Sequence, residues 1–298
     1  MNLKKLDRDT ITAILLISPS IVALLIFVYG FIYWTLRVST SKWVGLTPNL
    51  EWAGLSNYIG LMNDARFHID VRNTVIFTLL FVVGCLLLGL VLALLLDQGL
   101  RGESFFRSLF LFPMAISFIV TGVVWRWLMN PAGGSRISGL NLLFDSMGLD
   151  FLINKWYTTP NWGIAAIAIP AIWQMSGFTM ALYLGGLRAI PEELREAARV
   201  DGASEYQIYR RIILPLLRPV TLSAMIILGH ISLKVFDLII AVAGKQVALD
   251  VPAVYMWTTT FDGLFYGRGA SIGIFLLLTV AVLVIPYLYF TLRQEAEI

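Results

Sequence analysis

Three ionisable side chains, His230, Lys234 and Asp237, stand four and three residues apart within an otherwise apolar run from Pro219 to Val242. On one continuous helix that spacing puts all three on a single face. An imidazole, a fixed cation and a carboxylate in apolar surroundings suit a polar solute pathway or a charge relay, because such groups are retained where they meet something polar. The competing reading is a structural Lys234–Asp237 pair that neutralises itself. Ser232 between them is a weaker candidate, since a serine can bond its own helix backbone. A second set, Trp173, Gln174, Ser176, Gly177 and Phe178, lies midway along another apolar run. An amide beside aromatic rings suits a solute with apolar faces and hydroxyl-rich edges. The same residues also suit contact between helices. Arg126, between Trp125 and Trp127, reads as an arginine reaching for an interface through an aromatic belt.

Other chemistries find little support. The two histidines and the single Cys85 are too scattered for a zinc site, so no metal is expected. No nucleophile and base form a convincing pair at membrane depth. The G-x-x-x-x-G-K-[ST] loop that cradles ATP phosphates is missing from the sequence.

The elements that must position these residues are membrane helices. Of 298 residues 58% are hydrophobic and 14% charged, with a mean hydropathy of +0.79. A soluble domain carries about 25% charged residues, so this is the composition of a membrane protein. The net charge of +3 is small, and no nucleic-acid partner is expected. A span needs about 20 apolar residues to cross the hydrocarbon. Six stretches qualify, near Ile11–Leu36, Val71–Leu96, Phe105–Met129, Trp162–Leu187, Pro219–Val242 and Ala270–Leu292. The expected fold is therefore an all-α integral membrane protein of six spans, forming a single domain over residues 1–298. Lys4, Lys5 and Arg8 precede the first run, but Ile11–Trp34 exceeds a signal h-region, so it reads as a retained span. Pro113 and Pro170 are expected to mark kinks.

Charge sets the orientation. Twelve basic residues (Lys4, Lys5, Arg8, Arg101, Arg107, Arg188, Arg195, Arg199, Arg210, Arg211, Arg218 and Arg293) fall on the side of both termini, against eight opposite. Basic residues collect in the cytoplasm, so both termini and the Arg188–Arg218 loop are expected there, in a multi-pass cytoplasmic (inner) membrane protein. On the outer side, Leu55, Tyr58, Ile59 and Met62 at helical spacing predict a short helix lying along the membrane surface.

The Arg188–Arg218 loop encodes two short helices and a tight turn. Pro191 suits a first helical position, with Glu192 and Glu193 in the first turn. Ala197 and Ala198 favour helix and permit close approach. Gly202 is placed to end the helix in a left-handed conformation, Ser204 to cap the next, and Pro215 to mark the break before the fifth span. The second helix presents Tyr206, Ile208 and Tyr209 outside the membrane, which points to a partner. A solvated hairpin without a partner is the plainer reading.

Glu196-Ala197-Ala198, Gly202, Ile212 and Leu214-Pro215, with three, nine and one residues between, resemble the EAA loop of ABC-importer permeases. The likeness extends to Gly54-Leu55-Ser56-Asn57-Tyr58, Arg72-Asn73-Thr74, Leu100-Arg101-Gly102, Trp125-Arg126-Trp127-Leu128-Met129-Asn130-Pro131, Asp201-Gly202-Ala203-Ser204 and Phe236-Asp237-Leu238. These segments are similar to the carbohydrate-uptake branch, in the class of the first permease of the maltose and glycerol-phosphate systems.

The resemblance implies the type I importer permease fold with a cytoplasmic coupling helix. It implies a heterodimer with a second permease, two ATPase subunits beneath that bind ATP and Mg, and an extracytoplasmic solute-binding protein above. This chain would carry no catalysis and no cofactor. Glu196, Ala197, Ala198, Asp201, Gly202, Ala203, Ile212, Leu214 and Pro215 would couple to the ATPase. Met114, Gln174, Phe178, Ser232 and Lys234 would approach substrate, joining Trp173, His230 and Asp237 as pathway candidates. Family members often carry Gly-Gly-Gly-Pro after span five, where this chain has Ala243-Gly244-Lys245-Gln246. With no arginine cluster suited to phosphate, an uncharged sugar or glucoside is the expected cargo. Glycerol-phosphate or another solute is the alternative. An ion-coupled secondary transporter would show repeats with broken helices, and the sequence displays no such repeat.

Overall fold

The computed structural model describes residues 8–99, 101–159 and 161–296, with the backbone alone for residues 8–11, 288 and 290–296. Lys4, Lys5 and Leu100 lie outside the described residues, as do the side chains of Arg8 and Arg293. The described elements are helical. Among the described residues four helices are long and apolar enough to cross a membrane, and up to six spans result if each of two bent pairs is counted as one. The chain forms two compact units, one of residues up to Asn63 with Met256–Phe275, the other of Asp64–Tyr255 with residues from Leu276 onward.

In the first unit, α1 (Arg8–Leu24) passes through a π-helical segment, Leu25–Gly30, into α2 (Phe31–Ser39). The described apolar side chains of α1 are exposed, as a helix facing lipid requires. The short α3 (Ser56–Met62) forms where the amphipathic spacing predicts it. Its Asn57 side chain donates to the carbonyls of Ser39 and Ser41, both at 2.9 Å, while Leu55, Ile59 and Met62 stay exposed.

The second unit is built on α4 (Ala65–Leu96) and α8 (Gly163–Arg188). Their seam is close because α4 supplies glycines. A Cβ at Gly84 would lie 2.4 Å from Ile172, and one at Gly89 2.7 Å from Thr179. Small residues let membrane helices approach at backbone distance, which is where their association energy comes from. Phe77, Phe81 and Cys85 of α4 and Ile164, Ile167 and Ala171 of α8 share one buried cluster. Pro170 lies inside α8, which runs through it as one helix.

Two spans that the sequence presents as single apolar stretches are broken, the first of them where Pro113 is expected to mark a kink. The third consists of α5 (Glu103–Leu111), a 3-10 turn at Phe112–Ala115, and α6 (Phe118–Leu128), bent by 96°. Pro113 sits in the turn, and the Ser117 side chain accepts from the Val120 amide to start α6. After α7 (Gly139–Ser146) and α8, the loop forms α9 (Glu192–Val200), α10 (Glu205–Ile208), a π-helical turn Tyr209–Ile213 and α11 (Leu214–Leu216). The chain then bends by 58° into α12 (Arg218–Leu233). The bend falls at Leu217, just before Pro219, and not at Pro215, which lies inside α11. The fifth span breaks again at Lys234–Phe236 before α13 (Asp237–Ala243). The single unbroken helix expected over Pro219–Val242 is thereby corrected. α14 (Pro252–Trp257) and the long α15 (Tyr266–Ala296) complete the order.

Candidate functional site

The loop hairpin is assembled from local signals. Pro191, with extended backbone, is the N-cap of α9, one position before the expected first helical residue. Gly202 has φ +79°, and the amides of Gly202 and Ala203 bond the carbonyls of Arg199 and Ala198 at 3.0 and 2.9 Å. These two bonds close the helix with a left-handed glycine, as the sequence predicts. Ser204 and Gln207 then form a reciprocal capping box at the start of α10. Arg199 donates to Glu205 at 2.8 Å; this bond holds the Glu205 carboxyl below its usual range and raises Arg199 in turn.

The hairpin has two faces. Ala198, Ile208, Ile213 and Leu217 pack with Ala93 and Leu96 of α4 and with Met180, Tyr183, Leu184 and Leu187 of α8. Ile208 is 1% exposed and Tyr209 half-buried, so they belong to this inner face, and only Tyr206 of the three residues expected outside is fully exposed. The outer face carries Glu196, Ala197, Asp201 and Gly202 in the open, beside Leu194, Val200 and Tyr206. Ala203, Ile212 and Pro215 are half-buried and Leu214 exposed. Arg195 bonds Asp97 beyond the end of α4 at 3.1 Å, and Arg188 bonds Glu103 at 2.6 Å.

The polar stripe of span five is not a helical face. Because α12 ends at Leu233 and α13 starts at Asp237, His230, Lys234 and Asp237 converge on a cavity of about 270 Å³ instead. Phe77 and Phe81 of α4, Phe118 of α6 and Ala171 of α8 supply other parts of its wall. Among the described residues no ion pair joins Lys234 to Asp237, and both are exposed to the cavity or solvent. Asp237 lies in the first turn of α13, where a carboxylate meets the positive helix end.

Met114, Trp173, Gln174, Phe178 and Ser232 lie outside the lining of this cavity. Ser232 is fully buried; it accepts from Thr78 at 2.9 Å and donates to the Gly229 carbonyl at 2.7 Å, tying α12 to α4. The Gln174 amide donates to the Ile116 carbonyl, satisfying backbone freed by the break in the third span, while its Oε1 has no protein partner. Trp173 packs on Trp125 with ring centroids 5.9 Å apart, Phe178 is half-buried, and Met114 is exposed in the 3-10 turn.

One polar centre was not foreseen. At the far end of α4 from the loop, Arg66 bonds the buried Asp250 and lies 4.3 Å over the Tyr255 ring, whose hydroxyl donates to Asp64. Burial pushes the Asp250 carboxyl up, and Arg66 pulls it back. Asn73 donates to the carbonyls of Ala248 and Asp250 at 3.0 and 2.9 Å. Asp70 is 0% exposed with neither carboxyl oxygen hydrogen-bonded. The Arg72-Asn73-Thr74 segment was the only sequence signal near it.

Residues 85–295 match the family described as "Binding-protein-dependent transport system inner membrane component". The chain is 43% identical over 284 residues to a probable ABC transporter permease protein of Pyrococcus horikoshii, covering 95% of this chain and 96% of that one. It is 34% identical over 273 residues to the xylose/arabinose import permease protein of Haloferax volcanii, covering 90% and 84%. Among solved structures, a chain of a bacterial ABC transporter involved in the import of the acidic polysaccharide alginate superposes with a TM-score of 0.79 at 23% identity, covering 97% of this chain and 98% of that one.

Proposed function

The chain belongs to the binding-protein-dependent transport system inner membrane component family, and from that premise we propose that it is the permease subunit of an ATP-driven importer for a sugar or glucoside. The observation that carries the proposal is the two-faced hairpin, whose inner face is packed on the ends of α4 and α8 while Glu196 and Ala197 stand open. A rigid piece with a free small-residue face is suited to receive force from another protein. Two cytoplasmic ATPase subunits, holding ATP and Mg, would grip it. Asp201, Gly202 and Ala203 fix the turn, and Ile212, Leu214 and Pro215 carry the chain back to the membrane. The hairpin and both termini then lie in the cytoplasm, in keeping with the basic residues gathered on that side.

Cargo would arrive from an extracytoplasmic solute-binding protein into a space between this chain and a second permease. The cavity of His230, Lys234 and Asp237 lends this chain donors and acceptors beside Phe77, Phe81 and Phe118, a mixture suited to hydroxyls on an apolar ring. The Haloferax volcanii relative supports the sugar class. Met114, Trp173, Gln174 and Phe178 would shape neighbouring walls rather than this one, and Ser232 would hold two helices together. No reaction is assigned to this chain, since ATP would be hydrolysed by its partners. Its whole length acts as one permease.

Uptake measured in vesicles with ATP depleted and the membrane potential clamped tests the proposal. Transport should stop, and uptake continuing without ATP would refute it. Gly202→Val places a β-branched residue at φ +79°, and is expected to separate ATP hydrolysis from transport.

A further inference from the structure

The loop hairpin is bonded to a span that adjoins neither of its ends. Arg195 of α9 meets Asp97 just past α4 with side chains only 13% and 9% exposed, so water screens this pair far less than the open Arg199–Glu205 pair. Around it, Ala198 and Ile208 of the hairpin pack on Ala93 and Leu96 of the same helix. Arg195 also approaches Glu192 at 3.7 Å and the Tyr209 ring at 6.0 Å, so one guanidinium touches both arms of the hairpin and the end of α4. Beside it lies a cleft of about 560 Å³, lined by Asp97, Arg188, Pro191, Glu192 and Arg195.

The far end of this connection is the proposed pathway. α4 carries Phe77 and Phe81 on one wall of the cavity. Another wall, from His230 to Leu238, lies on the end of α12, the break at Lys234–Phe236 and the start of α13, separated from the hairpin by the 58° bend at Leu217. Chain connectivity would deliver a push on the hairpin to α12 through that bend. The Arg195–Asp97 bond delivers it to α4 directly.

We propose that Arg195 and Asp97 form a strut that transmits displacement of the coupling hairpin to α4, moving the Phe77–Phe81 wall against the Lys234–Asp237 wall. This rests on the reading of the hairpin as the ATPase contact. Both are positioning residues and neither touches solute.

The test needs no knowledge of the cargo. Nitroxide labels at Leu95→Cys on α4 and Met225→Cys on α12, both exposed positions, are placed in a Cys85→Ala background of the assembled transporter. Their separation is measured without nucleotide and after trapping with ATP and vanadate. With the strut intact the distance distribution shifts on trapping. In Arg195→Ala and in Asp97→Ala the shift is lost, although each complex still hydrolyses ATP. Arg195→Lys keeps the cation and retains the shift. A shift that persists unchanged in Arg195→Ala overturns the strut. So does its loss in Arg195→Lys, which would make the site one of shape and not of charge. No shift even with Arg195 and Asp97 in place overturns the underlying reading of the hairpin, an outcome distinct from failure of the strut alone.

Discussion

Gly177 sits where α8 presses on the backbone of the broken third span, and its replacement by alanine can be costed from the structure. A Cβ there would lie 2.0 Å from the Phe110 carbonyl oxygen, 2.8 Å from its carbon and 3.2 Å from the Leu111 Cα. Ordinary contact begins near 3.4 Å, and the obstructing atoms are backbone, which cannot rotate aside. The helices must part, and overpacking of this kind costs about 1–3 kcal/mol. Alanine also gains about 0.8–1.0 kcal/mol of helix propensity over glycine. Gly185 on the same helix shares that gain but has nothing within 4 Å of its Cβ position. The difference between Gly177→Ala and Gly185→Ala is thus the packing term, about 1–3 kcal/mol, or roughly five- to over a hundredfold in the folding equilibrium. The single thiol, Cys85, is buried in the α4–α8 region, so reaction with a thiol-sensitive dye during a temperature ramp reports opening there. Gly177→Ala should melt several degrees below Gly185→Ala. Equal melting, or the reverse order, would refute the claim that this contact sets the spacing of the two elements.

Three further outcomes follow from the same reasoning. Arg66→Ala leaves the carboxylate of Asp250, whose side chain is 0% exposed, without its partner and should cost about 3–5 kcal/mol, read as a large fall in melting temperature. Asp70→Leu, by contrast, removes two buried oxygens that have no hydrogen-bond partner, so the same assay should show unchanged or raised stability, by up to about 1–3 kcal/mol. If Lys234 and Asp237 contact cargo, Asp237→Asn and Lys234→Met should each raise the apparent KM for uptake about tenfold or more while nucleotide-driven ATPase activity survives, in line with hydrogen bonds to charged groups worth about 1.5–3 kcal/mol.

The parts that the sequence made legible are those whose causes are local. Span positions follow from hydrophobic length, and the hairpin turn was visible because Gly202 and Ser204 each act within a few residues of themselves. The break at Lys234–Phe236 was missed for the opposite reason. It holds no proline or glycine, so nothing local announces it, and a regular period of four and three residues argued for a continuous helix. That error moved His230, Lys234 and Asp237 from a cavity to a stripe. Ile208 was misplaced because an apolar residue in a charged loop looks exposed until Leu96 and Leu187 are brought against it. The Arg66–Asp250 bond joins residues 184 apart, a separation that no periodicity can bridge.

The glycine seam between α4 and α8 has a practical corollary. Surfaces that fit at backbone distance recognise each other without the connector that joins them, so a gene severed between Asn130 and Trp162 should yield two polypeptides, one bearing Ala65–Leu96 and the other Gly163–Arg188, that find one another in the bilayer and co-purify. Such a bisected permease would let each half be isotopically marked or tagged separately, with Gly89→Leu as the variant that keeps the halves apart.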